Sequence, residues 1–177
     1  MDTTAHYTRV ADGFERALRG AESLAGDSPC PGWDGRAVAK HVVDTHRRVL
    51  ARLDGSEPPV LDAGADVVPA WESARADLES ALAAVPEQEI DGFGGTVPFA
   101  QMVDTLLCAD TLIHTWDLAR ATQQDDSLDL EAVAKAHAFL TPMGDAMRAP
   151  GGFGEAKPVE DDASPQDRLI AFVGRQP

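Results

Sequence analysis

Helical periodicity dominates this sequence, and no stretch convincingly alternates apolar and polar residues as a half-buried strand does. Apolar residues recur at three- and four-residue steps in five segments, over about 3–25, 35–54, 69–85, 98–121 and 128–147. The glycine-rich stretch PEQEIDGFGGTVP is predicted to be a loop crossing between two of them. Because each amphipathic helix needs other helices to cover its apolar stripe, the pattern predicts an all-α bundle.

Local signals predict where several helices begin or break. Asp34 can cap the second helix, and Pro69 suits the first turn of the third. Pro142 lacks an amide hydrogen, so it is expected to kink or break the fifth helix. Ser164 as a cap and Pro165 at the first position predict a further short helix near the C-terminus.

Size and charge narrow the classes of function. A chain of 177 residues with 44% hydrophobic and 25% charged residues suits one globular domain, spanning 1–177. Its net charge of −15 repels phosphate backbones and anionic membranes, which argues against nucleic acid and membranes as partners. Cys30 and Cys108 form no CxxC pair and are expected to be structural. With no signal peptide or membrane span expected, the predicted location is the cytoplasm.

The fourth helical segment carries two polar residues on its inward face. In LLCADTLIHTWDLAR, Asp110 and His114 are four residues apart, so they project side by side from successive turns. A buried, unpaired carboxylate costs several kcal/mol, so Asp110 needs a cation, a hydrogen-bond donor or a proton. A divalent metal would satisfy both side chains, since carboxylate oxygen and neutral imidazole are good ligands for zinc and other first-row metals.

A third ligand is expected from a neighbouring helix, and His41 is the best candidate. It lies near the inward stripe of the second helix, whereas His46 is expected to point away from the His41 face. His137 has no carboxylate partner on its helix, and His6 is expected to be solvated. Three protein ligands would leave an open coordination position, as in catalytic metal sites. The alternative is a set of ordinary hydrogen-bonded side chains, because an acid and a histidine at this spacing are common on helices.

Three stretches of the chain together resemble a known family. They are SPCPGWDGRAVAKHVV at 28–43, HTWDLARAT at 114–122 and GGFGEAKPVEDDASPQDRLIAFVGR at 151–175. This combination is similar to short, single-domain members of the actinobacterial DinB-like family related to mycothiol-dependent maleylpyruvate isomerase. The resemblance implies a four-helix bundle of the DinB-like type, here with an additional short C-terminal helix. It also implies a divalent metal, often zinc, with nickel or another first-row metal as further choices.

The ligands implied by the resemblance are a histidine of the second helix and a carboxylate-x3-histidine pair. They correspond to His41 and to Asp110 with His114. The carboxylate of the family is typically glutamate, and an aspartate is shorter by one methylene, or about 1.5 Å. The metal is then expected to shift, to be reached through a water, or to bind more weakly.

The resemblance also implies the chemistry, which is thiol transfer or thiol-dependent isomerisation with a low-molecular-weight thiol such as mycothiol. The metal would stabilise the thiolate, which would attack an electrophilic substrate. Arg120 and Arg148 are candidates to bind an anionic part of the thiol or substrate, and Asp117 would orient a ligand imidazole or form a helix-packing hydrogen bond.

Two other functions use the same residues. One is a non-catalytic bundle that binds a small ligand or a partner chain and keeps only a degenerate metal site. The other is hydrolysis by metal-bound water. A homodimer is the expected assembly for a bundle of this family.

Overall fold

The computed structural model describes residues 2–92, 94–148 and 153–177, and most of these residues are helical. The elements follow in the order α1 (Thr3–Gly20), α2 (Gly35–Ala51), α3 (Val67–Ala84), β1 (Glu89–Gly92), β2 (Gly95–Pro98), α4 (Phe99–Met102), a π-helical segment (Val103–Leu107), α5 (Cys108–Ala121), α6 (Leu130–Leu140), a 3-10 helix (Thr141–Arg148) and α7 (Pro165–Phe172). Within the described ranges, no helix combines the length and the apolar character needed to cross a bilayer.

One core lies between the four longest of these helices. α1 packs against α3 and α5, and α2 packs against the same two helices, while α6 lies against α5 and α7 lies against α6. At the centre, the ring of Phe14 meets the ring of Trp71 edge-on, with 4.6 Å between the ring centroids. The mostly helical fold predicted from periodicity is therefore confirmed, and the four-helix bundle of the DinB-like type stays a prediction.

Side-chain caps begin the helices where the sequence predicts them. Asp34 accepts a hydrogen bond from the amide of Ala37 at 2.8 Å, which confirms it as the cap of α2. The Ser164 hydroxyl accepts from the amide of Asp167 at 3.0 Å, directly before Pro165 at the start of α7. Each cap satisfies one of the amides that the first helical turn leaves without a partner.

The first helix ends earlier than periodicity predicts. α1 stops at Gly20, and the residues after it pair with the start of α2. The carbonyl of Leu24 accepts from the amide of Arg36 at 2.9 Å, and the carbonyl of Gly26 accepts from the amide of Gly35 at 3.0 Å. Leu24 still packs against the hydrophobic core, so the apolar period continues although the helix does not.

The glycine-rich connection contains a short β-hairpin, so the prediction of a strand-free loop is wrong there. β1 pairs antiparallel with β2, and Ile90 lies opposite Val97. Each strand has four residues, and Ile90 is the buried one. Strands this short give no recognisable alternation in the sequence.

The predicted fourth and fifth helices are both interrupted. A π-helical segment separates α4 from α5 one turn before Asp110, and such segments are frequent at functional sites. The α-helical geometry of α6 ends at Leu140, and a 3-10 helix containing Pro142 follows, with Gly144 at φ 45° and ψ −126°. The predicted break at Pro142 is thus confirmed.

Candidate metal centre

The structure brings the three predicted ligands together where α2 faces α5. His41 Nε2 lies 3.3 Å from Asp110 Oδ1, and His114 Nε2 lies 3.7 Å from the same oxygen. One ligand atom from each residue lies within 4.8 Å of the other two. The four-residue spacing places Asp110 beside His114, and the packing of α2 on α5 adds His41.

The spacing of these atoms suits a metal ion. Ligand atoms at about 2.1 Å from a tetrahedral zinc lie about 3.4 Å from one another. The observed separations of 3.3 and 3.7 Å are close to that value. The other oxygen of this carboxylate, Asp110 Oδ2, is buried and has no hydrogen-bond partner among the described residues, so the protein compensates the charge of Asp110 incompletely. The short aspartate therefore reaches both imidazoles, and the residues present fit a divalent metal.

The electrostatics keep Asp110 in the form that ligates metals. Burial by itself would raise the pKa of Asp110, but the neighbouring His114 and His41 lower it to about 2. Within the described ranges, no lysine or arginine forms an ion pair with this carboxylate. The cluster thus has a negative ligand, and no lysine or arginine in the described part of the chain is bonded to it.

A second acid orients His114. The Nδ1 atom of His114 lies 2.9 Å from Asp117 Oδ2 and donates to this carboxylate, which directs Nε2 toward Asp110. Asp117 is fully buried, and Arg175 donates to both of its oxygens, from Nε at 3.2 Å and from Nη2 at 2.8 Å. Burial opposes ionisation of Asp117, yet the bonds from His114 and Arg175 lower its pKa.

The three ligands line an open cavity of about 680 Å³. Trp33 forms one wall, because its ring stacks on His114 at 5.7 Å between centroids and lies 4.9 Å from the ring of His41. Leu106 and Met147 add apolar surface. A concave, mostly apolar site with a few convergent polar groups is typical of small-molecule binding.

Comparison with known proteins identifies the family. Residues 4–119 match the family described as the mycothiol maleylpyruvate isomerase N-terminal domain. The chain belongs to this family. Two uncharacterized proteins of Mycobacterium tuberculosis, from strains CDC 1551 / Oshkosh and ATCC 25618 / H37Rv, are each 35% identical over 184 residues, which cover 99% of this chain and 98% of each relative. No solved structure gives a significant match.

The two arginines predicted to bind an anion differ in their placement. In this member of the mycothiol maleylpyruvate isomerase N-terminal domain family, Arg148 lines the cavity and donates to the carbonyl of Phe172 at 2.8 Å. Arg120 lies away from the cavity lining, where it pairs with Asp126 at 3.0 Å and stands 5.0 Å above the ring of Trp116. This placement gives no support to Arg120 as a residue that receives thiol or substrate in the cavity.

Three further arginines that line the cavity were not among the predicted site residues. Arg48 lies in α2 and Arg52 directly follows it, two and three turns beyond His41 on the same side. Arg175 follows α7. Helical spacing from His41 could have found the first two. Arg175 had no such signal, because it is 58 residues away from its partner Asp117 in the sequence.

Of the predictions for the other histidines, the one that His6 is solvated is wrong. His6 is only 2% exposed rather than solvated, and its Nδ1 lies 2.9 Å from Asp104 Oδ1. His46 is not part of the ligand cluster, and its ring lies between the rings of Tyr7 and Trp71. Burial lowers the pKa of His46 to about 4, so this imidazole is neutral at pH 7.

Both cysteines are at least half-buried, and their structural role stays a prediction. Cys30 is half-buried in the cavity wall, and Cys108 is buried in α5. Burial raises the pKa of each thiol, so both are protonated at neutral pH. Neither belongs to the cluster of ligand atoms.

Proposed function

We propose that this chain binds one divalent metal ion, zinc or another first-row ion, through His41, Asp110 and His114 and uses it in thiol chemistry. The reaction is transfer of a low-molecular-weight thiol such as mycothiol to an electrophilic substrate, or a thiol-dependent isomerisation, in a reducing cytoplasm. The DinB-like four-helix bundle would be formed by α1, α2, α3 and α5. The observation that carries the proposal is the convergence of two imidazoles and an unneutralised carboxylate on an open cavity in a chain of this family.

The side chains around the cluster have defined tasks in this chemistry. A metal bound there would lower the pKa of a coordinated thiol, so that the thiolate is available at neutral pH. Asp117 holds the proton on Nδ1 of His114, which leaves Nε2 as a ligand. His41, Asp110 and His114 would hold the metal, and a thiol that enters the cavity would complete its ligands. Trp33 covers the two imidazoles and limits the access of water to them.

The arginines of the cavity favour an anionic group on the thiol or on the substrate. Three arginines other than Arg175, which is paired with Asp117, line the cavity: Arg48, Arg52 and Arg148. A guanidinium binds carboxylates through paired hydrogen bonds. In transfer, the sulfur would form a bond to the electrophilic carbon while the leaving group departs with its electron pair. In isomerisation, the sulfur would add and later leave, which regenerates the thiol.

Calorimetric titration of the metal-free protein with zinc, and separately with nickel, tests the metal centre. We expect one ion to bind per chain and binding to be lost in His41→Ala. His137→Ala is the matched control, because it removes a half-buried imidazole from α6. If the unaltered chain binds neither ion, or His41→Ala binds like the unaltered chain, the three residues form only ordinary polar contacts and the proposal is wrong.

Turnover of an electrophile by the metal-loaded protein tests the thiol chemistry. Consumption that requires both the metal and added mycothiol would support thiol transfer or isomerisation. Consumption without thiol would indicate hydrolysis instead. Metal binding without any turnover would favour the second candidate, a non-catalytic binding bundle. The presence of Asp110, where this family typically has glutamate, is the observation in favour of that candidate.

A further inference from the structure

The chain after α7 turns back into the protein. Gly174 has φ +89°, its amide donates to the carbonyl of Ala171, and the amide of Arg175 donates to the carbonyl of Ile170, both at 3.0 Å. These two bonds form the Schellman arrangement, in which a residue with positive φ ends a helix. The reversal directs the side chain of Arg175 inward, where it is 6% exposed.

Gly174 is needed at this turn for two reasons. The left-handed backbone conformation disfavours residues with a Cβ atom. A Cβ at this position would also lie 2.7 Å from backbone atoms of Gly154, which is closer than real Cβ contacts. The path that delivers Arg175 to the interior is therefore fixed by the backbone.

Arg175 and His114 share one carboxylate oxygen. Asp117 Oδ2 accepts from Arg175 Nη2 at 2.8 Å and from His114 Nδ1 at 2.9 Å, while Oδ1 accepts from Arg175 Nε at 3.2 Å. Arg175 is itself held by a bond from Nη1 to the carbonyl of Val173 at 2.9 Å. A guanidinium that binds both oxygens fixes the plane of the carboxylate, and this plane sets the direction of the imidazole.

We propose that Arg175 is a positioning residue of the metal centre, which acts through Asp117 to hold His114 with its proton on Nδ1 and Nε2 directed at Asp110. The metal part of this inference rests on the proposed function, whereas the control of His114 does not. Arg175 lies beyond residues 4–119, which match the family, so the C-terminal segment completes a centre whose ligands all come from the matched part.

The simpler alternative is that Arg175 only ties the C-terminal segment to α5. A buried ion pair is by itself weak evidence of a functional role. A tie of this kind would affect the stability of the chain but not the hydrogen bond from His114 Nδ1 to Asp117. The two hypotheses therefore differ in whether Arg175 controls the hydrogen bond of His114 in the metal-free protein, which can be measured directly.

Proton–nitrogen NMR of the histidine rings in the metal-free chain is the first measurement. We expect the Nδ1 proton of His114 to be held in its hydrogen bond to Asp117 and to exchange slowly with water in the unaltered chain, and to exchange faster in Arg175→Met. Arg168→Met is the matched control, because Arg168 is an exposed arginine of α7 that donates to the carbonyl of Ala163. An unchanged His114 in a folded Arg175→Met protein would overturn the proposal, even if the variant melts at a lower temperature.

Zinc titration is the second measurement. We expect Arg175→Met to bind zinc about 10- to 100-fold more weakly, as is usual for loss of a group that orients a ligand. Arg175→Lys should recover part of the affinity, and Arg168→Met should not change it. Equal affinities in the unaltered chain and in Arg175→Met would overturn the metal part of the proposal.

Two further outcomes remain decisive. If Arg175→Met does not fold, Asp117→Asn replaces it, because the amide keeps the shape of the side chain and loses the paired acceptors. An unchanged exchange rate of the His114 Nδ1 proton in Asp117→Asn would overturn the proposal. If the unaltered chain binds no zinc, the proposed function is wrong. The NMR comparison then still decides whether Arg175 controls His114.

Discussion

Two clusters of histidine and aspartate have their aspartates on the stretch from Phe99 to Ala121. They differ in whether a lysine or arginine of the described residues neutralises the aspartate. In the lysine-paired cluster (His6, Asp104 and Lys135), Lys135 Nζ lies 2.7 and 2.9 Å from the two oxygens of Asp104. In the cavity cluster (His41, Asp110 and His114), no lysine or arginine of the described residues pairs with the carboxylate. The first cluster contains its own cation, and the second opens on a cavity.

This difference shows which feature marks a candidate metal site. Both clusters place an imidazole nitrogen close to a carboxylate oxygen, at 2.9 Å for His6 and at 3.3 Å for His41. Proximity of an acid and a histidine is therefore not sufficient. A buried carboxylate oxygen that lacks a protein donor, beside space for a ligand, is the informative observation.

The largest expected effect is on zinc affinity, which should depend on the cavity cluster and not on the lysine-paired cluster. His114→Ala should weaken zinc binding by at least about 100-fold, because loss of a direct ligand exceeds the loss of a group that orients one. His6→Ala should leave the affinity unchanged, since Lys135 already neutralises Asp104. Calorimetry on the two variants checks this, and equal losses in both would remove the distinction between the clusters.

Replacing Thr45 by lysine should give the cavity cluster a positive side chain of its own, as Lys135 does in the lysine-paired cluster. Thr45 Oγ1 lies 3.4 Å from His41 Nε2, so an ammonium group from this position can reach Asp110. Like charges about 4 Å apart repel by about 1–4 kcal/mol, so Thr45→Lys should bind zinc at least about fivefold more weakly. Thr45→Val keeps the size and lacks the charge. If both variants bind zinc equally, the missing protein cation is not what leaves room for the metal.

The cavity cluster was largely predictable from the sequence, and the lysine-paired cluster was not. Helical spacing placed Asp110 beside His114, and the inward stripe of the second helix suggested His41. The burial of His6 could not be predicted, because its partners Asp104 and Lys135 are 98 and 129 residues away in the sequence. Periodicity indicates which face of a helix is inward, but not which distant side chains it meets.

The same reason explains the other features that sequence patterns missed. Arg175 meets Asp117 through a tertiary contact whose direction depends on the turn at Gly174. The hairpin of β1 and β2 forms through pairing between two very short strands rather than through local propensity. Helix ends with side-chain caps were predictable because the cap and the amides it satisfies are within three residues of each other.

The pH dependence of stability extends the comparison to His46, a histidine that forms no ion pair in the described part of the chain. Burial lowers the pKa of His46 from 6.5 to about 4, although its bond to the carbonyl of Val42 acts in the opposite direction. The unfolded chain binds a proton below pH 6.5 and the folded chain only near pH 4. The contribution of His46 to stability is therefore complete above pH 6.5 and is lost as the pH falls through about 4.

Between pH 7 and pH 4.5, where most of this contribution disappears, the loss should amount to about 2.5 kcal/mol. Urea unfolding of the metal-free protein at pH 7 and pH 4.5 should show it in the unaltered chain and in His137→Ala, but not in His46→Phe. Phenylalanine keeps a ring between Tyr7 and Trp71 and has no group to titrate. An unchanged pH dependence in His46→Phe would mean that other groups cause the loss of stability.

The smallest expected effect concerns the lysine-paired cluster itself. Lys135 and Asp104 are 33% and 24% exposed, so water partly replaces the ammonium when Lys135→Met removes it, and His6 still bonds to the carboxylate. The free energy of unfolding should therefore fall by only about 1 kcal/mol. Urea unfolding at pH 7 measures this change, and the zinc affinity should stay the same. A weaker zinc affinity in Lys135→Met would show that the two clusters are coupled through α5 and the π-helical segment, and the separation between them would no longer hold.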